Sequence, residues 1–313
     1  MLTAILLFVS VVLVGLTAGG LAFMGFAVAT ATPKLSSGTF VRVHQALYRK
    51  ADPLMPIVVC ASLIATVPLG VAMVVQDTTV SPAWVALVAL GFVIVIVITR
   101  IGNKPINKII ARWDATSPPA DWAAERDRFN RFHAWRTVAA LVSFVVVVVV
   151  GVVVTEPAVI GPSWLGLSVL VSGLNAGGLA FMYAVVGRAT LTVGGSTYVE
   201  AHQRIALMAT RYMTGITLLT VLMSAGYLFI LWPTGPLWAV VHAGLAVLAA
   251  LTVIVVSVGF SVPMNRRIAR WDAADPPVEW DQVRDRWMRV HTVRTTAAVV
   301  AFLLLASCLL TVS

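Results

Sequence analysis

Long apolar runs alternate with short polar segments along the whole chain. A helix needs about 20 mostly apolar residues to cross a bilayer, so this pattern predicts membrane-spanning helices. We place eight of them, near residues 2–31, 54–76, 83–103, 137–155, 160–187, 212–232, 237–260 and 295–312. The fold class expected is therefore an all-α integral membrane protein.

The second half of the chain repeats the first at a constant offset of 158 residues. Ala18–Met24 recurs as Ala176–Met182, and the polar motifs recur in the same register. This repeat predicts two tandem four-helix transmembrane bundles, copy 1 at 1–155 and copy 2 at 159–313, joined near Glu156. The first apolar run is interpreted as a retained span rather than a signal peptide, because its counterpart lies inside the chain.

Composition and charge support a membrane protein and suggest its orientation. Charged residues make up 11% of the chain and mean hydropathy is +0.94, whereas soluble domains carry about a quarter charged residues. All 22 Lys and Arg fall on one side of the predicted spans, and Asp77 and Glu156 are the only charges in the opposite loops. The positive-inside rule then predicts a multi-pass protein of the cell membrane with cytoplasmic basic loops and both termini outside.

Two further expectations follow from this topology. An even number of spans per copy makes the repeats parallel, related by a pseudo-two-fold axis along the membrane normal, unlike the inverted repeats of many transporters. The net charge of +9 reflects the cytoplasmic loops, so we expect the lipid bilayer as partner and no nucleic acid. The oligomeric state is left open.

The polar segment before the fourth span carries a stripe of aromatic and basic residues. Trp122, Arg126, Phe129, His133 and Arg136 are spaced four, three, four and three residues apart, which places them on one face of a helix. The stripe in copy 2 consists of Trp280, Arg284, Trp287, His291 and Arg294. Tryptophan and arginine are also ordinary anchors at the membrane interface, so the stripe alone does not define a site.

The histidines are more specific. Four of the five in the chain form two repeat pairs, His44 with His202 and His133 with His291. Histidine can act as a general base or a metal ligand, although a structural hydrogen bond near the membrane surface would also explain it. We further expect Pro105 to kink the third span, and Asp121 and Glu279 to cap the helices that follow them.

Several function classes lose support. The chain has no HExxH, CxxC, P-loop or GxSxG motif, and Cys60 and Cys308 lie in apolar runs. No Asp, Glu, Lys or Arg falls in the middle of a span, which argues against an ion-coupled transporter. Glycines gathered in the first and fifth spans predict close helix packing.

The motifs resemble those of the anthrone oxygenase family, once per copy. The order is Pro-x-Asn, Arg-Trp-Asp, Pro-Pro-x-Asp-Trp, Arg-Asp-Arg-Phe and His-x-x-Arg. Members are small four-span membrane proteins, and the named ones oxidise anthrones to anthraquinones in polyketide pathways. The resemblance implies an oxidoreductase of the monooxygenase type, with a hydrophobic aromatic small molecule as substrate. The tandem duplication departs from the family's usual single domain.

This resemblance suggests roles for eight residues. An anthrone oxygenase needs a base, a cation to hold the enolate and an apolar pocket. We expect bases at His133 and His291, anion holders at Arg136 and Arg294, and substrate contacts at Asn107, Asn265, His44 and His202. These groups should face into their bundles rather than toward lipid.

The cofactor and the function itself have alternatives. No cofactor is required for anthrone oxidation, although a metal or haem held by His44 and His133 is a variant of the same hypothesis. The alternative function is a non-enzymatic membrane carrier or scaffold.

Overall fold

The computed structural model describes residues 1–76, 78, 80–154 and 161–310, and every element in these residues is helical. Eight helices, each counted together with any shorter helical segments that continue it, are long and apolar enough to cross a membrane. They are α1 Leu2–Phe23, α2 Ser37–Val75, α3 Ala83–Ile98, α4 Trp122–Val154, α5 Pro162–Phe181, α6 Gly195–Leu231, α7 Leu237–Val256 and α8 Trp280–Ser307. Asp77, the predicted junction at Glu156, and residues 311–313 lie outside the described residues.

Four of the helices continue through a widened, π-helical turn. The turns are Met24–Ala29 after α1, Thr99–Asn103 after α3, Met182–Gly187 after α5 and Ser257–Ser261 after α7. Beyond the second and fourth turns the helices resume as Lys104–Ile110 and Val262–Ile268. The four turns recur at the same 158-residue offset, so the repeat extends to these local departures from the α-helix.

The two copies form equivalent four-helix bundles. In copy 1, α1 and α3 each pack against both α2 and α4, and in copy 2 α5 and α7 pack in the same way against α6 and α8. Many large apolar side chains are exposed on the outer faces of the bundles, for example Val71, Phe229 and Leu248. Apolar surfaces of this extent are typical of lipid contact. The structure therefore agrees with eight apolar helices arranged as two bundles.

The bundles meet along α1 and α5, where glycines allow close approach. A Cβ atom on Gly177 would lie 2.5 Å from the carbonyl oxygen of Leu16 and 2.8 Å from Cα of Gly19. Gly19 and Gly177 are themselves repeat equivalents. Phe144 and Phe302, another equivalent pair, meet edge to face with ring centroids 6.2 Å apart. A pseudo-two-fold axis therefore passes between these pairs, and the predicted glycine packing is confirmed.

A carboxylate adds a polar contact between the copies. Glu200 on α6 accepts hydrogen bonds from the backbone N–H of Ser36 at 2.6 Å and from the hydroxyls of Ser36 and Thr39. Ser36 is the N-cap of α2 and provides no side-chain cap of its own. The N-terminus of a copy 1 helix is thus capped by copy 2, where a negative charge is favourable.

Some helix boundaries differ from the prediction. α2 begins at Ser37 rather than near 54, and α4 begins at Trp122 rather than near 137, because polar residues extend each helix beyond its apolar part. Pro105 is the second residue after the π-helical turn Thr99–Asn103, and the kink expected there stays a prediction. The predicted capping by Glu279 is wrong: it stands at the N-cap of α8, but its carboxylate binds Arg267 at 2.7 Å.

Candidate functional site

Four residues singled out from the sequence line one cavity in copy 1. The cavity has a volume of about 370 Å³, and its walls include His44, Asn107, His133 and Arg136. Small-molecule pockets usually measure roughly 300–1,000 Å³, so it can hold a small ligand. His133 is fully buried, and the expected inward orientation is confirmed for this copy.

His44 is held by Asn107, which lies in Lys104–Ile110, the extension of α3 beyond its π-helical turn. Its Nε2 lies 2.8 Å from Oδ1 of Asn107. An amide oxygen only accepts, so Nε2 carries the proton and Nδ1 keeps its lone pair. Nδ1 has no hydrogen-bond partner among the described residues. The ring of Phe129 stands edge-on to the imidazole, with centroids 4.9 Å apart.

The neighbouring glutamine explains why the His-Gln pair is kept in both copies. The Gln45 amide donates to the carbonyls of Ile110 and Trp113, each at 3.0 Å. Gln203 makes the equivalent bonds to Ile268 and Trp271. These bonds fix the end of the α3 extension onto α2, and the end of its counterpart in copy 2 onto α6. The glutamine therefore positions the segment that carries the asparagine.

His133 is bound on both of its ring nitrogens. Nε2 lies 3.0 Å from the carbonyl oxygen of Leu21, which only accepts, so Nε2 donates. Nδ1 accepts from the guanidinium of Arg136, from Nε at 3.0 Å and Nη2 at 2.8 Å. Nη1 of Arg136 donates to the hydroxyl of Thr99 at 3.3 Å. The histidine thus orients the arginine and has no free lone pair in this arrangement.

The partners of His133 lie beside the π-helical turns. The Leu21 carbonyl lies just before the turn Met24–Ala29 and accepts from the backbone N–H of Met24. The same carbonyl also accepts from His133 and from the Thr137 hydroxyl. Thr99 and Thr137 were not among the residues predicted from the sequence. Their only signal was a hydroxyl at both repeat positions, Ser257 and Thr295 in copy 2.

The rim of the copy 1 cavity carries charges that copy 2 lacks. Arg100, Lys104 and Asp52 line it, and Lys104 lies 3.8 Å from Asp52 in an ion pair. The counterparts in copy 2 are Val258, Val262 and Thr210. The two sites therefore differ in polarity although the helices that carry them recur at the same 158-residue offset.

Copy 2 does not bring its four predicted residues into one cavity. Asn265, His291 and Arg294 line a cavity of about 250 Å³, but His202 does not. Trp287 replaces Phe129, and its indole N–H donates to Oδ1 of Asn265 at 3.2 Å. The larger ring stacks on His291 with centroids 4.8 Å apart. His202 is not part of this cavity's lining, but its Nε2 lies 3.1 Å from Oδ1 of Asn265, so it faces Asn265 as expected and as His44 faces Asn107 in copy 1.

The donor set does not fit a histidine-bound metal. Within the described parts of the chain, no three His, Cys, Asp or Glu residues are grouped as metal ligands would be. In copy 1, Phe129 packs against both His44 and His133. The proposed metal ligands would therefore have an aromatic ring between them.

A comparison with known protein families identifies the fold unit. The sequence profile described as Anthrone oxygenase matches residues 44–146 and again residues 203–304. The chain belongs to the anthrone oxygenase family. In this anthrone oxygenase family member the two matches span α2 to α4 and α6 to α8, which supports a tandem duplication. No curated protein and no solved structure matches the chain significantly.

Proposed function

We propose that copy 1 is an oxygenase site for an anthrone-type substrate, a fused-ring aromatic ketone with an acidic ring methylene. The observation that carries this proposal is that His44, Asn107 and Arg136 line a single cavity of about 370 Å³. An apolar cavity with a few convergent polar groups is the usual form of a small-molecule site. Family membership supports the same chemistry.

Each polar group has a role in the proposed reaction. His44 takes a proton from the methylene carbon through its unbonded Nδ1. Arg136 holds the enolate oxygen that forms, and Asn107 donates its amide N–H to the substrate. His133 keeps Arg136 in place. The sequence hypothesis assigned the base to His133, but its two occupied nitrogens favour His44 for that step.

The enolate then reacts with molecular oxygen without a cofactor. It passes one electron to O₂, and the resulting radical and superoxide combine at the former methylene carbon, taking up a proton to give a hydroperoxide. Loss of water leaves a second ring carbonyl. The carbon thereby loses two hydrogens and gains one oxygen atom, and the other oxygen atom leaves in water.

The proposal also includes where the site lies relative to the membrane. We place the chain in the cell membrane, with its basic segments on the cytoplasmic side and both termini outside. The cavity of copy 1 has Arg100 and Lys104 at its rim, so it would open near the cytoplasmic surface. An apolar substrate could reach it from the bilayer.

The test is anthrone oxidation by detergent-purified protein. We expect anthraquinone to form with one equivalent of O₂ consumed. Met55 lines the copy 1 cavity and its equivalent Met213 lines the copy 2 cavity. Met55→Trp should fill the first cavity and lower the rate at least about tenfold, while Met213→Trp, the matched control, should stay within about twofold.

Two results would count against the proposal. One is no anthrone oxidation above the uncatalysed rate by the unaltered protein, which would favour a carrier or scaffold. The other is equal activity of Met55→Trp and the unaltered protein, which would show that the copy 1 cavity is not where the reaction occurs.

A further inference from the structure

The copy 2 cavity contains two buried polar atoms that have no partner. They are Nδ1 of His291 and Nε of Arg294, and both residues line the cavity of about 250 Å³. His291 is 1% exposed. In copy 1 the equivalent atoms of His133 and Arg136 bond to each other at 3.0 Å. The histidine and the arginine are therefore bonded to each other through these atoms in copy 1, whereas in copy 2 the same two atoms are unpaired.

A substitution beside the arginine accounts for the open arrangement. Nη1 of Arg294 donates to the hydroxyl of Ser261 at 3.2 Å. The equivalent of Ser261 in copy 1 is Asn103, whose amide donates to the carbonyl of Phe129 at 3.1 Å. Ser261 is thus available to draw the guanidinium away from the histidine, which Asn103 does not do in copy 1.

Leaving both atoms unpaired is costly. A buried donor or acceptor without a partner loses its hydration with nothing in return, and buried polar groups in native proteins are nearly always paired. Nε2 of His291 faces the Leu179 carbonyl at 3.3 Å and so carries the proton. Nδ1 therefore needs a donor, whereas the N–H at Nε of Arg294 needs an acceptor. A hydroxyl group can satisfy both at once.

Apart from Arg294, the cavity lacks the charged groups at the rim of copy 1. Val258, Val262 and Ala206 line it where copy 1 has Arg100, Lys104 and Tyr48. Trp287 supplies an aromatic wall suited to stacking. We propose that copy 2 is a second binding site, specific for a neutral aromatic molecule that carries a hydroxyl group, with the hydroxyl bound between His291 and Arg294.

This site is independent of the proposed oxidation, so its test uses probes that measure binding alone. The probes are β-naphthol and its methyl ether, which has the same rings but cannot donate. Binding is measured by equilibrium dialysis on purified Met55→Trp protein, in which the copy 1 cavity is filled. We expect one equivalent of β-naphthol to bind at least about tenfold more tightly than the ether, as the loss of a hydrogen bond predicts.

Two variants locate the binding. Met213→Trp, added to the same background, should abolish the saturable binding of β-naphthol. Ser261→Asn introduces the residue that copy 1 already tolerates, and it should release Arg294 to bond His291 and weaken β-naphthol about tenfold.

Three results would overturn the proposal. Equal affinity for β-naphthol and the ether would exclude hydroxyl recognition. Unchanged binding in either variant would place the probe elsewhere. No saturable binding of either probe would mean that water alone satisfies the two atoms.

Discussion

At the scale of single residues, the two copies show how neighbours decide what a conserved pair can do. His133 and His291 both donate to a carbonyl of the first helix of their copy. Arg136 bonds His133, whereas Arg294 bonds Ser261 instead. The chemistry of the pair therefore depends on a residue outside the motif. Copy 2 serves as an internal control for each copy 1 substitution.

Arg136 should matter for oxidation far more than Arg294. Replacing Arg136 with Met removes the cation proposed to hold the enolate, and loss of such a stabilising donor costs about 2.7–4 kcal/mol, or roughly 10²–10³ in kcat. Arg294→Met should leave the rate of anthrone oxidation nearly unchanged. Equal losses in the two variants would contradict the assignment of the reaction to copy 1.

The identity of the base can be decided with glutamine substitutions. His44→Gln can still bind Asn107 but cannot accept a proton, so we expect kcat to fall by about 10²–10⁴. His202→Gln is the matched control and should remain active. If His44→Gln is active while His133→Gln is not, the original assignment of the base to His133 is restored.

The sequence predicted the inward face at this scale but not its detail. Spacing placed Phe129, His133 and Arg136 on one side of a helix, and the structure confirms that orientation. Spacing could not show that His133 would be occupied on both nitrogens, because that depends on a carbonyl 112 residues away. It also could not show that His202, although it is bonded to Asn265, would be absent from the lining of the copy 2 cavity.

At the scale of helices, polar residues and irregular turns decide where the site lies. The apolar runs predicted eight long apolar helices, which the structure has, but α2 and α4 extend well beyond their apolar parts. The four π-helical turns had no sequence signal that we could identify: Gly25 in the first has Tyr183 as its counterpart. Such turns arise from tertiary contacts, and they are frequent at functional sites.

The glycine contact between α1 and α5 should be sensitive to a single methyl group. Gly177→Ala would place Cβ 2.5 Å from the Leu16 carbonyl, and overpacking of this kind costs about 1–3 kcal/mol. A Cβ atom added to Gly244 on α7 would have nothing within 4 Å. Gly244→Ala should therefore be neutral or stabilising by up to about 1 kcal/mol. Thermal unfolding in detergent compares them, and equal stability of the two variants would refute the close contact.

The cap that copy 2 provides for α2 should also be measurable. Glu200→Gln removes the charge that accepts from Ser36 and Thr39, and loss of an N-cap interaction costs about 0.5–2 kcal/mol. Glu279→Gln is the control, because Glu279 makes only an exposed ion pair, worth about 0–1 kcal/mol. A larger loss of thermal stability in Glu279→Gln would contradict the role of Glu200.

At the scale of the whole molecule, duplication has supplied both a symmetric interface and two different sites. The pseudo-two-fold pairs, Gly19 with Gly177 and Phe144 with Phe302, meet at the interface between the copies. Changes at residues lining the cavities, such as Phe129 to Trp287, leave this interface intact. One copy can therefore keep the charged rim while the other becomes apolar, without disturbing how the bundles pack.

The orientation of the molecule is the last prediction. In the predicted topology successive spans reverse direction, so all 22 basic residues fall on one side of the membrane and both termini on the other. Cytoplasmic retention of Lys and Arg then requires both termini to be outside. A reporter enzyme active only in the cytoplasm should be inactive when fused after Ser313 and active when inserted between Asp114 and Asp121. The opposite pair of results would invert the molecule and place the rim of the copy 1 cavity on the outer surface, where a substrate made in the cytoplasm would have to cross the bilayer first.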